Sequence, residues 1–139
     1  MTETATYETF DHGADIGIRG MGRTLEQALD MAAKAMFSLM VDDVESVPAR
    51  SRVEVRVEGD DAEELLLAWL NQLLAEADIN GLVFSEFSVS LSGWRLEGWA
   101  AGSDFSGREP GVEVKAATYS LARVYQSGGV WTAQCVVDV

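Results

Sequence analysis

From Leu25 the apolar residues Ala28, Leu29, Ala32, Met36, Phe37 and Met40 return at steps of three and four, which predicts a helix of about four turns with one buried stripe. Thr24, followed three residues later by Gln27, is a capping-box start for it. A second helix opens at Asp61 and Glu64, buries Leu65, Leu66, Trp69, Leu70, Leu73, Leu74 and Ala77, and stops at Asn80-Gly81. Elsewhere the period changes to two. Val53, Val55 and Val57 alternate with Arg52, Glu54, Arg56 and Glu58, and Phe87, Val89 and Leu91 alternate with Glu86, Ser88, Ser90 and Ser92. Gly93 turns the latter strand into one through Trp94 and Leu96. A long strand over 112–125 meets Ser127-Gly128-Gly129 and returns over 130–137 as a hairpin, and further strands lie over 7–10 and 16–20. The order of strands, helix, strand, helix, then four strands predicts the α+β class, with two helices packed on one face of a mostly antiparallel (mixed) β-sheet.

No repeat, low-complexity tract or linker divides the chain, and Pro48 and Pro110 both fall in segments that read as loops, so residues 1–139 read as one two-layer domain. Composition narrows the chemistry. The lone Cys135 and the lone His12 exclude a zinc site of Cys and His ligands within one chain, which needs four such groups. Ten Lys and Arg stand against 23 Asp and Glu, a net charge of −13 that repels a polyphosphate backbone, so direct nucleic-acid binding is not expected. No run of 18 apolar residues is present to span a bilayer, and the opening Met1-Thr-Glu-Thr-Ala5 lacks the basic-then-apolar order of a secretory signal. A cytoplasmic protein without membrane contact is the expectation.

Few residues offer themselves for chemistry. Cys135 alternates with Ala133 and Val137 and reads as a buried core thiol. Gly20-Met-Gly22 precedes a helix but lacks the other positions of a phosphate loop. Phe84, Trp94 and Trp99 read as core aromatics, and Glu113 and Lys115, flanking Val114, as a solvated strand face. Asp15 stands between a loop and an apolar strand, where a cap or turn former is the ordinary reading, and Asp138 with Val139 closes the chain, where solvated ends are common. If their strands are neighbours, the two side chains and the main-chain carboxylate of Val139 converge and suit a hard divalent cation. Such oxygen ligands favour calcium, magnesium or manganese over zinc or copper.

Five segments carry a resemblance in register: His12-Gly-Ala-Asp-Ile-Gly-Ile, Thr24-Leu-Glu-Gln-Ala with Ala35-Met-Phe-Ser-Leu-Met, Gly81-Leu-Val-Phe-Ser-Glu-Phe, Glu113-Val-Lys-Ala-Ala-Thr-Tyr119 and the final Asp138-Val139. Together they resemble the archease family over nearly the whole chain. The resemblance implies a metal-binding accessory protein, not itself an enzyme, that activates the tRNA-splicing RNA ligase. It does so by promoting GTP-dependent guanylylation of a ligase histidine and multiple turnover. The family's metal site maps onto Asp15, Asp138 and the main chain of Val139, with calcium the metal of relatives and magnesium or manganese as alternatives. The chain departs at Gly13, where many relatives have threonine, and at Arg108, near which they carry a second histidine. Two other readings compete: a chaperone-like adaptor binding other protein clients, and a metal-dependent hydrolase, for which the sequence supplies no clear general acid.

Overall fold

The computed structural model describes residues 5–139. The signal-peptide reading rests largely on residues 1–4, which lie outside the described residues. Seven strands and two helices follow in the order β1 (Thr6–His12), β2 (Asp15–Gly22), α1 (Leu25–Met40), β3 (Ser51–Glu58), α2 (Ala62–Asn80), β4 (Val83–Ser92), β5 (Arg95–Ser103), β6 (Ala116–Ser127) and β7 (Val130–Asp138). The predicted α+β class holds. Where one mostly antiparallel sheet was expected, the strands form two, a four-stranded sheet, β1-β2-β7-β6, and a three-stranded sheet, β3-β5-β4, with every pair antiparallel. Among the described residues no helix is long and apolar enough to cross a membrane.

Both helices start on the predicted caps. Thr24 Oγ1 accepts from the Gln27 amide at 3.1 Å while Gln27 Oε1 accepts from the Arg23 amide at 2.8 Å. Asp61 Oδ1 accepts from the Glu64 amide at 2.8 Å and Glu64 Oε1 from the Asp60 amide at 3.2 Å. Each cap satisfies helix-end donors that otherwise face only water, worth about 1 kcal/mol. α1 packs on β2, β7 and β1 of the larger sheet and on β4 of the smaller one, and α2 packs on β6 of one and on β3 and β5 of the other. This is why Leu65, Leu66 and Leu67 are all buried: a helix flanked by two sheets hides more than one stripe. Trp69 Nε1 donates to the Leu29 carbonyl at 3.0 Å and ties the helices together, and Phe37 meets Phe84 edge-on with ring centroids 5.4 Å apart.

Two close approaches shape the larger sheet. A Cβ on Gly20 would lie 2.1 Å from the Ala32 nitrogen and 2.4 Å from the Ala28 carbonyl oxygen, so α1 rests directly on β2 there. Gly22 similarly faces the Gln27 side chain. These glycines make room for a helix, which accounts for Gly20-Met-Gly22 without a ligand.

The long strand expected over 112–125 begins later, at Ala116. The preceding residues serve α1 instead: the Gly111 amide donates to the Met40 carbonyl at 2.9 Å and Val112 to Leu39 at 2.8 Å. Helix C-terminal carbonyls lack partners within the helix, and this segment supplies them. α2 closes the free edge of β6 in the same manner. Asn71 accepts from the Ala117 amide (2.9 Å) and donates to its carbonyl (3.2 Å), and Glu63 accepts from the Val124 amide (2.8 Å).

Candidate functional site

The β1–β2 hairpin turns through Gly13 and Ala14, with His12 paired to Asp15. Gly13 has φ +62, so the first central position of this two-residue turn is left-handed, as a type II′ turn requires. β2 then pairs with β7, and the last ladder pair is Ile16 with Val137. One residue further, antiparallel register sets Asp15 abreast of Asp138. The next strand continues the row, since Ala116 pairs with Asp138.

Pleating decides where these side chains point. Ile18, opposite Cys135, and Gly20, opposite Ala133, face the helices and are buried, so the intervening positions face away. On that outer face lie the rows Glu8, Arg19, Gln134 and Arg123, then Phe10, Gly17, Val136 and Thr118, and at the end His12, Asp15, Asp138 and Ala116. Arg19 is held by Glu8 and by Gln134 and lies over the Phe10 ring at 4.6 Å. Val139 takes the opposite parity and packs against the core, which fixes the main chain beside Asp138. The Asp138 carbonyl accepts from the Lys115 amide at 2.8 Å.

Neither Asp15 nor Asp138 forms an ion pair or a side-chain hydrogen bond among the described residues. Two carboxylates side by side on adjacent strands repel one another, and a cation between them removes that cost. The donor set suits a hard cation. Among the described residues no three His, Cys, Asp or Glu side chains gather in a metal-binding group. A cation held here would therefore take two side-chain carboxylates, and further protein ligation would have to come from main-chain oxygen, the part assigned to Val139.

Other candidates resolve simply. Cys135 is fully buried, and burial pushes its thiol up to about 12, which keeps it protonated and unreactive. Phe84 belongs to the core as expected, whereas Trp94 is 42% exposed at the β4–β5 turn and Trp99 lies under the Arg52 guanidinium, 3.9 Å from its ring centroid. Tight turns expose even large aromatics, so the core reading fails for Trp94, and it fails for Trp99, which is only partly buried and lies outside the core cluster. Arg108 donates to the hydroxyl and the carbonyl of Ser46, which makes it a loop tether. Glu113 and Lys115 are exposed as expected, although the backbone there is not strand.

A groove of about 590 Å³ lies between the helices and the segment before β6. Met40, Leu74, Leu82, Phe105 and Val114 line it, with Lys115 at the side nearest Asp138. Its walls come from two helices, a loop and the segment before β6, so no local pattern announces it. A second groove, of about 510 Å³ at the β4–β5 end, is bordered by arginines that are already paired, Arg56 with Glu97 at 3.2 Å and Arg95 with Glu58 at 3.7 Å.

Residues 7–139 match the model of the Archease protein family. The chain is 42% identical to Protein archease of Thermococcus gammatolerans and 40% identical to that of Pyrococcus furiosus, in each case over 96% of this chain and 98% of the relative. The solution structure of Methanobacterium thermoautotrophicum protein 1598 superposes with a TM-score of 0.84 at 33% identity, covering 96% of this chain and 98% of that one. A crystal structure from Thermotoga maritima, described as an archease and possible chaperone, shares the fold at a TM-score of 0.65 and 20% identity, over 94% of each chain. By its sequence, over nearly its full length, and by its fold, this chain belongs to the archease family.

Proposed function

We propose that this protein is a metal-binding accessory factor that activates the tRNA-splicing RNA ligase, promoting its GTP-dependent guanylylation and multiple turnover without being an enzyme itself. The observation that carries the reading is the row that sets Asp15 abreast of Asp138, with neither engaged elsewhere, at one end of the outer face of a family member's sheet. Asp15, Asp138 and the main chain of Val139 would hold a divalent cation, calcium first, with magnesium or manganese as alternatives. A divalent cation bound there supplies positive charge that offsets the triphosphate's negative charge. The protein's own part is positional: the hairpin turn at Gly13 and the inward packing of Val139 hold the carboxylates at an edge that a partner's recessed site can receive. The net charge of −13 suits a basic, phosphate-handling protein partner and disfavours direct contact with RNA.

Calorimetric titration with calcium tests the site. One site is expected in the wild type, with affinity falling at least about a hundredfold in Asp15→Asn and in Asp138→Asn while the melting temperature without metal is kept. Unchanged affinity in either variant would remove that residue from the site.

The description of the Thermotoga maritima relative as a possible chaperone supports a second reading, a chaperone-like adaptor for protein clients. That reading expects suppression of aggregation of unrelated proteins and indifference to Asp15→Ala. The activator reading expects one partner and dependence on the carboxylates.

A further inference from the structure

Between the pairs Thr118–Val136 and Arg123–Gln134, β6 advances five residues while β7 advances two, so three extra residues leave the ladder. Within this bulge Leu121 adopts φ +52, a conformation that a bulky L residue seldom takes. The bulge is held at several points. Thr118 Oγ1 donates to the Val136 carbonyl (2.8 Å) and accepts from the Ser120 amide (3.3 Å), and the Gln134 side-chain amide donates to the Leu121 carbonyl (3.2 Å). On the far edge Asn71 grips Ala117 and Glu63 grips Val124, so both flanks are tied to α2. What this braced loop presents is apolar: Tyr119 is 65% exposed and Leu121 51%.

Its position connects it to the site. The bulge begins at Tyr119, three residues after Ala116, the residue paired with Asp138. Three residues of strand span about 10 Å, so a protein-sized body seated on Tyr119 and Leu121 can reach the carboxylate row as well. Charge selects that body. Nucleic acid, an anionic membrane and a second copy of this chain, itself at −13, all bring negative charge toward Asp15 and Asp138, whereas a basic protein surface does not. We infer that the Tyr119–Ala122 bulge is a rigid anchor for the polypeptide of the RNA ligase, seating Tyr119 and Leu121 in an apolar depression beside the basic site that meets the carboxylates. The inference rests on the proposed function and names the surface by which that partner is gripped. Exposed large apolar groups on a preorganised backbone lose little freedom on docking, as befits binding anchors.

Two measurements with the full chain and purified ligase test it: direct binding by calorimetry, and the concentration giving half-maximal stimulation of ligation. Tyr119→Ala combined with Leu121→Gly is expected to raise both the dissociation constant and the half-maximal concentration at least about tenfold. Stimulation at saturation is kept, in contrast to Asp15→Ala. Glycine accepts φ +52 without strain, and an unchanged melting temperature checks that the variant is folded. Equal binding by wild type and double variant would overturn the anchor while leaving the functional reading intact. Wild-type binding without stimulation, lost in the double variant, would support the anchor and refute activation. No wild-type binding would overturn both, and a wild-type dimer that the double variant dissociates would assign the surface to self-association instead.

Discussion

Asp30→Asn is expected to stabilise the folded protein at pH 8 by about 2 kcal/mol, roughly 7 °C in melting temperature for a chain of this size, and to have little effect near pH 4. Asp30 Oδ1, on α1, is buried without a hydrogen-bond partner among the described residues. Burial, with a smaller contribution from the Glu26 carboxylate one turn earlier, pushes the Asp30 carboxyl up from its ordinary 3.8 to about 7. Lys34, one turn later, is engaged by Glu45 at 2.7 Å. A folded-state value above the unfolded one means that the folded protein holds the proton more tightly. Its contribution to stability is therefore fully present below about pH 4, declines as pH rises through the interval to about 7, and is gone above it. Asparagine keeps the shape of the neutral form and does not ionise. Melting curves of wild type and variant between pH 4 and pH 8 should diverge across that interval, and a gap constant with pH would show that Asp30 ionises freely in the folded state.

Gly20→Ala should destabilise by about 3 kcal/mol through overpacking. The added methyl meets the backbone of α1 at Ala32, Ala28 and Met31, not a side chain able to rotate aside, so the helix must lift from β2. That movement would loosen Ile18, Ala28, Ala32 and Ala133, all fully buried. Gly13→Ala provides the contrast. Its Cβ meets nothing within 4 Å, and only the positive φ opposes it, so about 1 kcal/mol is expected. Urea unfolding of the two variants measures both, and equal losses would contradict the close approach of α1 to β2.

Much of this architecture is visible in the residues because local signals agree. Thr24 with Gln27 and Asp61 with Glu64 cap the helices they were expected to cap, and Cys135 lies inward with Ala133 and Val137 as alternation requires. The hairpin at Gly128-Gly129 falls where its glycines place it. What local pattern misses comes from distant groups. Nothing in the alternation of Val53 to Val57 says that this strand joins β5 and β4 in a separate sheet, since both sheets present the same apolar face to the helices. Residues 112–115 look like strand from their composition, but Gly111 and Val112 are claimed by the carbonyls at the end of α1. The bulge has no local signature in β6, because only the register of β7 reveals three surplus residues. For the candidate site, the sequence supplied the identities of Asp15, Asp138 and Val139, partly through family resemblance, and strand pairing supplied the adjacency of the first two.

Transfer of labelled GMP from GTP to the purified cognate ligase, under multiple-turnover conditions, tests the proposed activation most directly. It would be run without this protein, with the wild type, and with Asp15→Ala or Asp138→Ala. The wild type is expected to increase guanylylation, and both variants, folded by melting temperature, are expected not to. A ligase active alone yet indifferent to the wild type would contradict the activator role, and full stimulation by Asp15→Ala would contradict the role of the carboxylates.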